Sequence, residues 1–236
     1  MATPKIILYT NHLCPWAHRA HIALKESGLE YEEVIIDLNV PREQWYLDIN
    51  PGPRGLVPTI SYNGNIIIES AIVSQFIADA HPSHLLPPSA PVENAITRAR
   101  INLFVDAFIS KVLPHLFAGI RAASEQERDA AAEALIAGVL KEVEPLLAST
   151  EGKGPFFGGS EKLTLAEVLT GSFLLRILSF GKPEHALVST KLPVLLEKAP
   201  RFKRWSEATV NHPSVNFIWN EKLVADLTRA KFAPKA

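Results

Sequence analysis

Leu13-Cys14-Pro15-Trp16-Ala17-His18-Arg19 follows the apolar run Ile6-Ile7-Leu8-Tyr9 and opens a helical pattern that ends near Gly28. The stretch holds the only cysteine of the chain. A side chain at a strand-to-helix turn lies where free N–H groups and the positive end of the helix dipole favour an anion, the setting that stabilises a thiolate. Pro15 fits the first helical turn, where a missing N–H removes no hydrogen bond. On these grounds Cys14 has two readings: a reactive thiolate that attacks or exchanges disulfides, and a buried inert thiol of the kind common in cores.

Residues 5–10 read as a buried strand, 14–27 as a helix stopped by Gly28, and 31–38 as a second strand rich in Val and Ile. A crossover of this kind implies parallel strands. It puts Cys14 at the carboxyl end of the first strand, where open α/β sheets bind ligands. A short helix over 41–49 follows, and Asn50-Pro51-Gly52-Pro53-Arg54-Gly55 breaks regular structure. The apolar runs 57–62 and 65–68, joined by Asn63-Gly64, predict a tight antiparallel hairpin. Ile72, Val73, Phe76 and Ile77 then share a helix face over 69–80. The order is β-α-β-α-β-β-α.

A proline-rich stretch over 81–91 has no usable period and reads as an interdomain linker at 82–91. It separates a domain over 1–81 from one over 92–236. The second is all helical: 92–120, kinked or split at Pro114; 124–148, with Ser124 and Glu127 spaced as a capping box; 168–180, behind a second box at Thr164 and Glu167; then 194–198, 201–211 and 215–231. The fold class is α/β plus all-α.

Composition narrows the function. Of 236 residues 47% are hydrophobic and 21% charged, with a net charge of -1, so no basic face suggests a nucleic acid or an anionic membrane as partner. Apolar runs fall short of the ~20 residues a membrane span needs. One cysteine excludes an internal disulfide framework and cysteine-rich zinc sites, and it fits a reducing compartment. Met1-Ala2-Thr3-Pro4-Lys5 carries no signal-peptide core. These readings predict a cytoplasmic protein. His12, His18 and His21 crowd Cys14 in sequence, but no carboxylate at the spacing of a known site accompanies them, so no metal is expected. His18 and His21 fall on the helix as packed or surface residues, and Arg19 braces it.

The pattern resembles the cytosolic glutathione transferases. Leu-Cys-Pro-Trp-Ala-His-Arg is similar to the active-site signature of their omega class, in which cysteine replaces tyrosine or serine. Asn50-Pro51, Gly55-Leu56-Val57-Pro58 and Glu69-Ser70 resemble the glutathione landmarks in order and approximate spacing. Phe156-Phe157-Gly158-Gly159 and the box at Thr164 to Glu167 resemble the helical domain. The resemblance implies a thioredoxin-like first domain, a homodimer with the helix from Val92 at its two-fold interface, and glutathione as co-substrate.

It also implies site residues. Cys14 is the catalytic thiol. Pro58 follows a cis bond that turns Val57 outward to pair with an extended tripeptide as an added strand would; an ordinary X-Pro turn is the alternative. Glu69 and Ser70 hold the γ-glutamyl end, the carboxylate meeting its ammonium and the helix N-terminus its carboxylate; simple capping by Ser70 is compatible with both. Arg42 stands nearest the cation expected for the glycyl carboxylate. Trp16, Arg176 and Trp219 are the candidates for the acceptor side, although Thr170-Gly171-Ser172-Phe173 departs from the omega pattern.

The implied chemistry is glutathione-dependent thiol transfer through a Cys14 mixed disulfide, including dehydroascorbate reduction and removal of glutathione from small α-substituted ketones, with weak conjugation. A single cysteine suits a monothiol cycle. Two alternatives stand beside it: a conjugating transferase or isomerase whose nucleophile is bound glutathione thiolate, and a non-catalytic binding or regulatory protein that keeps the fold.

Overall fold

The computed structural model describes residues 3–52, 54–150 and 154–232. Met1-Ala2, Pro53 of the predicted break, 151–153 of the loop before Thr164 and the last four residues of the helical domain lie outside that range. The first part holds a four-stranded sheet of order β2-β1-β3-β4. Its strands are β1 (Ile6–Thr10), β2 (Glu32–Ile35), β3 (Thr59–Tyr62) and β4 (Asn65–Ile68). β1 runs parallel to β2 and antiparallel to β3, and β3 antiparallel to β4. Three helices accompany it, α1 (Pro15–Glu26), α2 (Gln44–Ile49) and α3 (Ser70–Ala80). Gly28 ends α1 with a φ of 64°, a backbone position that favours glycine because it has no Cβ. Asn63 and Gly64 both take positive φ and form the hairpin turn.

Two strands are shorter than the hydrophobic pattern predicts. β2 is an edge strand whose Glu32 and Glu33 give it little to bury. β3 begins after Pro58, which has no N–H for the ladder.

Beyond the sheet come α4 (Val92–Ala107), α5 (Leu113–Arg121), α6 (Glu125–Gly138), α7 (Leu165–Phe180), α8 (Leu192–Leu196), α9 (Pro200–Val210), α10 (Pro213–Asn216) and α11 (Glu221–Phe232). α4 and α5 are continuous through a wide π-type turn at Phe108–Val112, just before Pro114, so the proline loosens the helix without ending it. The combined helix Val92–Arg121 is long and apolar enough to cross a membrane, against the reading from apolar runs. Here Ile101, Phe104, Phe108, Val112, Leu113 and Leu116 are buried against the helices around it, and core helices share that composition. A second π-type turn at Val139–Val143 follows α6, which ends at Gly138; a Cβ there would lie 2.5 Å from the Lys111 carbonyl oxygen, so the two helices touch backbone to backbone.

The predicted helix over 215–231 is two. Asn220 Oδ1 accepts from the Leu223 N–H at 3.0 Å and starts α11 afresh. The proline-rich stretch is tied down rather than free, with Leu85 and Leu86 buried and the Leu85 carbonyl accepting from the Leu165 N–H at 2.8 Å.

α7 is the central helix of the second part and packs against α1 and α3 of the first. Its start is a full capping box at Thr164 and Glu167. The box at Ser124 is incomplete: Ser124 Oγ accepts from the Glu127 N–H, while the Glu127 carboxylate returns to the Ala123 N–H. The α9 N-terminus is capped from a distance, by the Glu144 carboxylate accepting from the Arg201 and Phe202 N–H groups at 3.0 and 2.7 Å.

Candidate functional site

Cys14 is the residue that precedes α1, with extended backbone angles (φ -81°, ψ 116°), and it is half-buried. Its own N–H donates to the Asn11 carbonyl at 3.0 Å, and its side chain caps nothing. Asn11 builds the turn, its Oδ1 accepting from the Leu13 N–H at 3.0 Å and its Nδ2 donating to the Ile36 carbonyl at 2.9 Å. The thiol therefore stands on a rigid turn at the open end of a helix.

Cys14 lines a cleft of about 530 Å³ together with Trp16, Arg42, Val57, Pro58, Glu69 and Ser70. The Val57–Pro58 bond is cis. The loop before it hangs on buried Asn50, whose Nδ2 donates to the Leu56 carbonyl and to Thr59 Oγ1, both at 2.8 Å. The Tyr46 hydroxyl donates to the same Leu56 carbonyl at 2.8 Å. Opposite, Glu69 precedes α3 with a φ of 70°, a conformation that costs a non-glycine residue on the order of 1–3 kcal/mol. That bend delivers Glu69 and the first N–H groups of α3 to the cleft.

Arg42 reaches the cleft with much of its guanidinium already engaged. Nη1 donates to the Asp37 and Val40 carbonyls at 2.8 Å each, and Nε to the Gly55 carbonyl at 3.2 Å. It thus braces the loops on that side as well as lining the site.

Arg176 and Trp219 are not among the lining residues. Arg176 is buried beneath the Cys14 turn, where its Nη2 donates to the Leu13 carbonyl at 2.9 Å and its Nη1 to the Ser172 carbonyl at 2.7 Å. Its guanidinium carbon lies 5.0 Å from the centre of the Trp219 ring. Arg176, a candidate for the acceptor side by resemblance, meets the turn from below, where the Leu13 and Ser172 carbonyls take up its guanidinium.

Histidine chemistry is turned away from the thiol. His21 is buried between Thr10 Oγ1 and Tyr31 Oη, at 2.8 and 2.9 Å from its ring nitrogens. Burial first, and the His12 charge second, lower its pKa to about 3. His18 is buried with no hydrogen bond to either ring nitrogen. Burial, followed by the charge of Arg176, holds it well below its ordinary value; a backbone group of Val215 offsets little of this. Both rings are neutral at physiological pH.

A family model described as "Glutathione S-transferase, N-terminal domain" matches residues 13–80. "Glutathione S-transferase omega-1" of Sus scrofa is 29% identical over 214 residues, covering 90% of this chain and 80% of its own. Among solved structures, glutathione transferase Omega 2C from Trametes versicolor has a TM-score of 0.78 at 27% identity, covering 98% of this chain and 99% of that one. Omega 1C from the same organism has a TM-score of 0.76 at 28% identity, covering 97% of each. These matches support an omega-like member of the cytosolic glutathione transferase superfamily. That family uses glutathione as co-substrate, and the fold is the thioredoxin-like domain with an all-helical partner.

Three cations at or behind the cleft have no site role assigned from the sequence, Arg19, Arg54 and Lys231. Arg19 is buried behind the site, donating from Nη1 to Ser70 Oγ at 3.1 Å and from Nε to the Leu169 carbonyl at 2.8 Å, with its guanidinium against Trp16 and Phe173. Burial lowers its pKa to about 9 and that of Arg176 to about 10, in each case offset in part by the negative charge of Cys14. Both stay cationic at pH 7, two positive charges beneath Cys14. Lys231 of α11 and Arg54 also line the cleft. A helix position far down the chain carries no local signal that it returns to Cys14, so Lys231 was illegible; Arg19 had the signal of belonging to the Cys14 stretch itself.

Proposed function

We propose that the chain catalyses glutathione-dependent thiol transfer through Cys14. The Cys14 thiolate attacks the glutathionyl sulfur of a mixed disulfide R–S–S–glutathione, the Cys14–glutathione disulfide forms, and R–S⁻ leaves and takes up a proton. A second glutathione thiolate attacks the glutathionyl sulfur of that intermediate, forms glutathione disulfide and releases the Cys14 thiolate. The sum is one thiol released and one glutathione disulfide made from one mixed disulfide and one glutathione. Dehydroascorbate enters by attack of the Cys14 thiolate on a carbonyl carbon; one glutathione thiolate then attacks the Cys14 sulfur, the S–C bond breaks with its electron pair going to ascorbate, which takes up a proton, and a second glutathione resolves the Cys14–glutathione disulfide as before. What carries the reading is a half-buried thiol at a helix N-terminus, in one cleft with Val57, Pro58, Glu69 and Ser70.

In this reading Val57 pairs with the cysteinyl backbone of glutathione. Glu69 and Ser70 with the α3 N-terminus hold the γ-glutamyl group, and Arg42 meets the glycyl carboxylate. Trp16 offers its face to the acceptor. Arg176 and Trp219 act on that side by positioning the turn, through the Leu13 carbonyl and the ring stacked under the guanidinium. Residues 1–81 form the glutathione-binding domain, 82–91 the linker and 92–236 the domain on the acceptor side. The protein works as a cytoplasmic homodimer; exposed Ile72, Val92, Ile96 and Leu103 supply apolar area for a two-fold contact.

The test compares hydroxyethyl disulfide, dehydroascorbate and a chloronitrobenzene as substrates of the wild type and Cys14→Ser. Loss of the first two activities in the variant is expected. Full thiol transfer by Cys14→Ser contradicts the mechanism, and a dominant chloronitrobenzene activity that survives in the variant favours bound glutathione thiolate as the nucleophile.

A further inference from the structure

The β1–α1–β2 crossover brings together three side chains that are far apart in sequence. His12 sits in the turn after β1, His21 on α1 and Glu33 on β2. Glu33 Oε1 lies 2.6 Å from His12 Nε2 and 3.3 Å from His21 Nε2. The two imidazoles meet edge to face, 5.3 Å between centres, and one donor atom from each of the three residues falls within 4.8 Å of the others. An ion with tetrahedral bonds of about 2.0–2.1 Å holds its donors about 3.3 Å apart, so small side-chain shifts suffice to close this set around one centre.

We propose that His12, His21 and Glu33 form a binding site for a divalent transition-metal ion of the zinc type, outside the glutathione cleft. His21 is the fixed ligand. Its side chain is fully buried, and Tyr31 Oη, 2.9 Å from Nδ1, accepts from the N–H there and leaves Nε2, 3.3 Å from Glu33 Oε1, as the unprotonated nitrogen. Thr10 Oγ1 lies 2.8 Å from the same Nε2, and binding of an ion exchanges that hydrogen bond for a metal bond. His12 and Glu33 are the adjustable ligands, with side chains 43% and 31% exposed, which gives the ion an entry path and a solvent-side position for water. Two neutral imidazoles and one carboxylate make a borderline donor set that suits Zn²⁺ over Mg²⁺ or Ca²⁺.

Glu33 has no ammonium or guanidinium partner among the described residues; its ion-pair partners are these two imidazoles. The other three-donor group, Glu184, His185 and Glu221, differs on this point, because the Lys182 ammonium already lies 2.7 Å and 2.9 Å from the Glu221 oxygens. An ion at the first group ties the turn that carries Cys14 to β2, since His12 stands two residues before the thiol.

The experiment is competition for Zn²⁺ against a chromophoric chelator, on protein without a histidine tag. The variants are Cys14→Ser, His12→Gln, Glu33→Gln and Glu221→Gln, each checked for unchanged circular dichroism and Tm. One equivalent bound by the wild type, Cys14→Ser and Glu221→Gln, with affinity at least about tenfold weaker in both His12→Gln and Glu33→Gln, is the expected result. Co²⁺ in the site gives ligand-field bands without a thiolate charge-transfer band. No binding by the wild type, unchanged affinity in either His12→Gln or Glu33→Gln, loss of binding in Cys14→Ser or Glu221→Gln, or a thiolate band overturns the proposal.

Discussion

His18→Leu tests how the neutral core beneath the Cys14 turn responds to acid. The His18 imidazole is buried without a hydrogen bond, and burial with the nearby Arg176 charge holds its pKa well below 6.5. In the unfolded chain it titrates near 6.5, so below that pH the unfolded state binds a proton that the native state refuses. Stability is therefore full above about pH 6.5 and falls as pH drops toward the folded pKa. At pH 5.5, one unit below the unfolded value, the loss from this one group is at most about 1 kcal/mol, the worth of one pH unit. His21 adds its own loss, but that is common to both proteins and cancels in the comparison. Leu is close in size and has no polar atom to strand, so the variant should be at least as stable as the wild type at pH 7.5. Urea unfolding at pH 7.5 and 5.5 should show the wild type losing up to about 1 kcal/mol more than His18→Leu over this interval. Equal losses in the two proteins would refute the reasoning.

Other expectations concern loops, caps and charges. Asn50→Ala removes two buried hydrogen bonds, to the Leu56 carbonyl and the Thr59 hydroxyl, and leaves both groups to the Tyr46 hydroxyl; it should cost about 1–2 kcal/mol in urea unfolding while raising the KM for glutathione, because the Val57 loop loses one of its anchors. Glu167 is buried and accepts from Thr164 N–H and Oγ, Phe157 N–H and Trp205 Nε1. Glu167→Gln points an amide donor at those donors and should lower stability by about 2–4 kcal/mol; a change below about 1 kcal/mol would contradict that account. Arg42→Ala should raise the KM for glutathione about tenfold, the worth of one charge-assisted hydrogen bond, with Lys231→Ala nearly silent. The reverse result would move the glycyl carboxylate to Lys231.

Legibility followed the range of the interactions. The β1–α1–β2 unit, the Asn63-Gly64 hairpin and the Thr164 box were readable because each is set by residues within a few positions of one another. The ends of β2 and β3 were not, because edge exposure and the missing Pro58 N–H outweigh a run of Val and Ile. The α9 cap was invisible for a different reason: the carboxylate that closes it, Glu144, lies far upstream, and Ala199 beside the helix supplies no capping side chain. The same distance hid Glu33 from His12 and His21, and Lys231 from Cys14. Arg176 stands out in the sequence only through resemblance, as an acceptor-side candidate; its direction depends on the Leu13 and Ser172 carbonyls, which a sequence does not place.

The central claim is a covalent exchange at one sulfur, and intact-mass kinetics read it directly. The enzyme is mixed with excess glutathione disulfide and then with glutathione. The account predicts that one glutathionyl group appears on Cys14, that glutathione removes it at a rate no slower than turnover, and that Cys14→Ser takes up none. A wild type that stays unmodified while it turns over a mixed disulfide would contradict it.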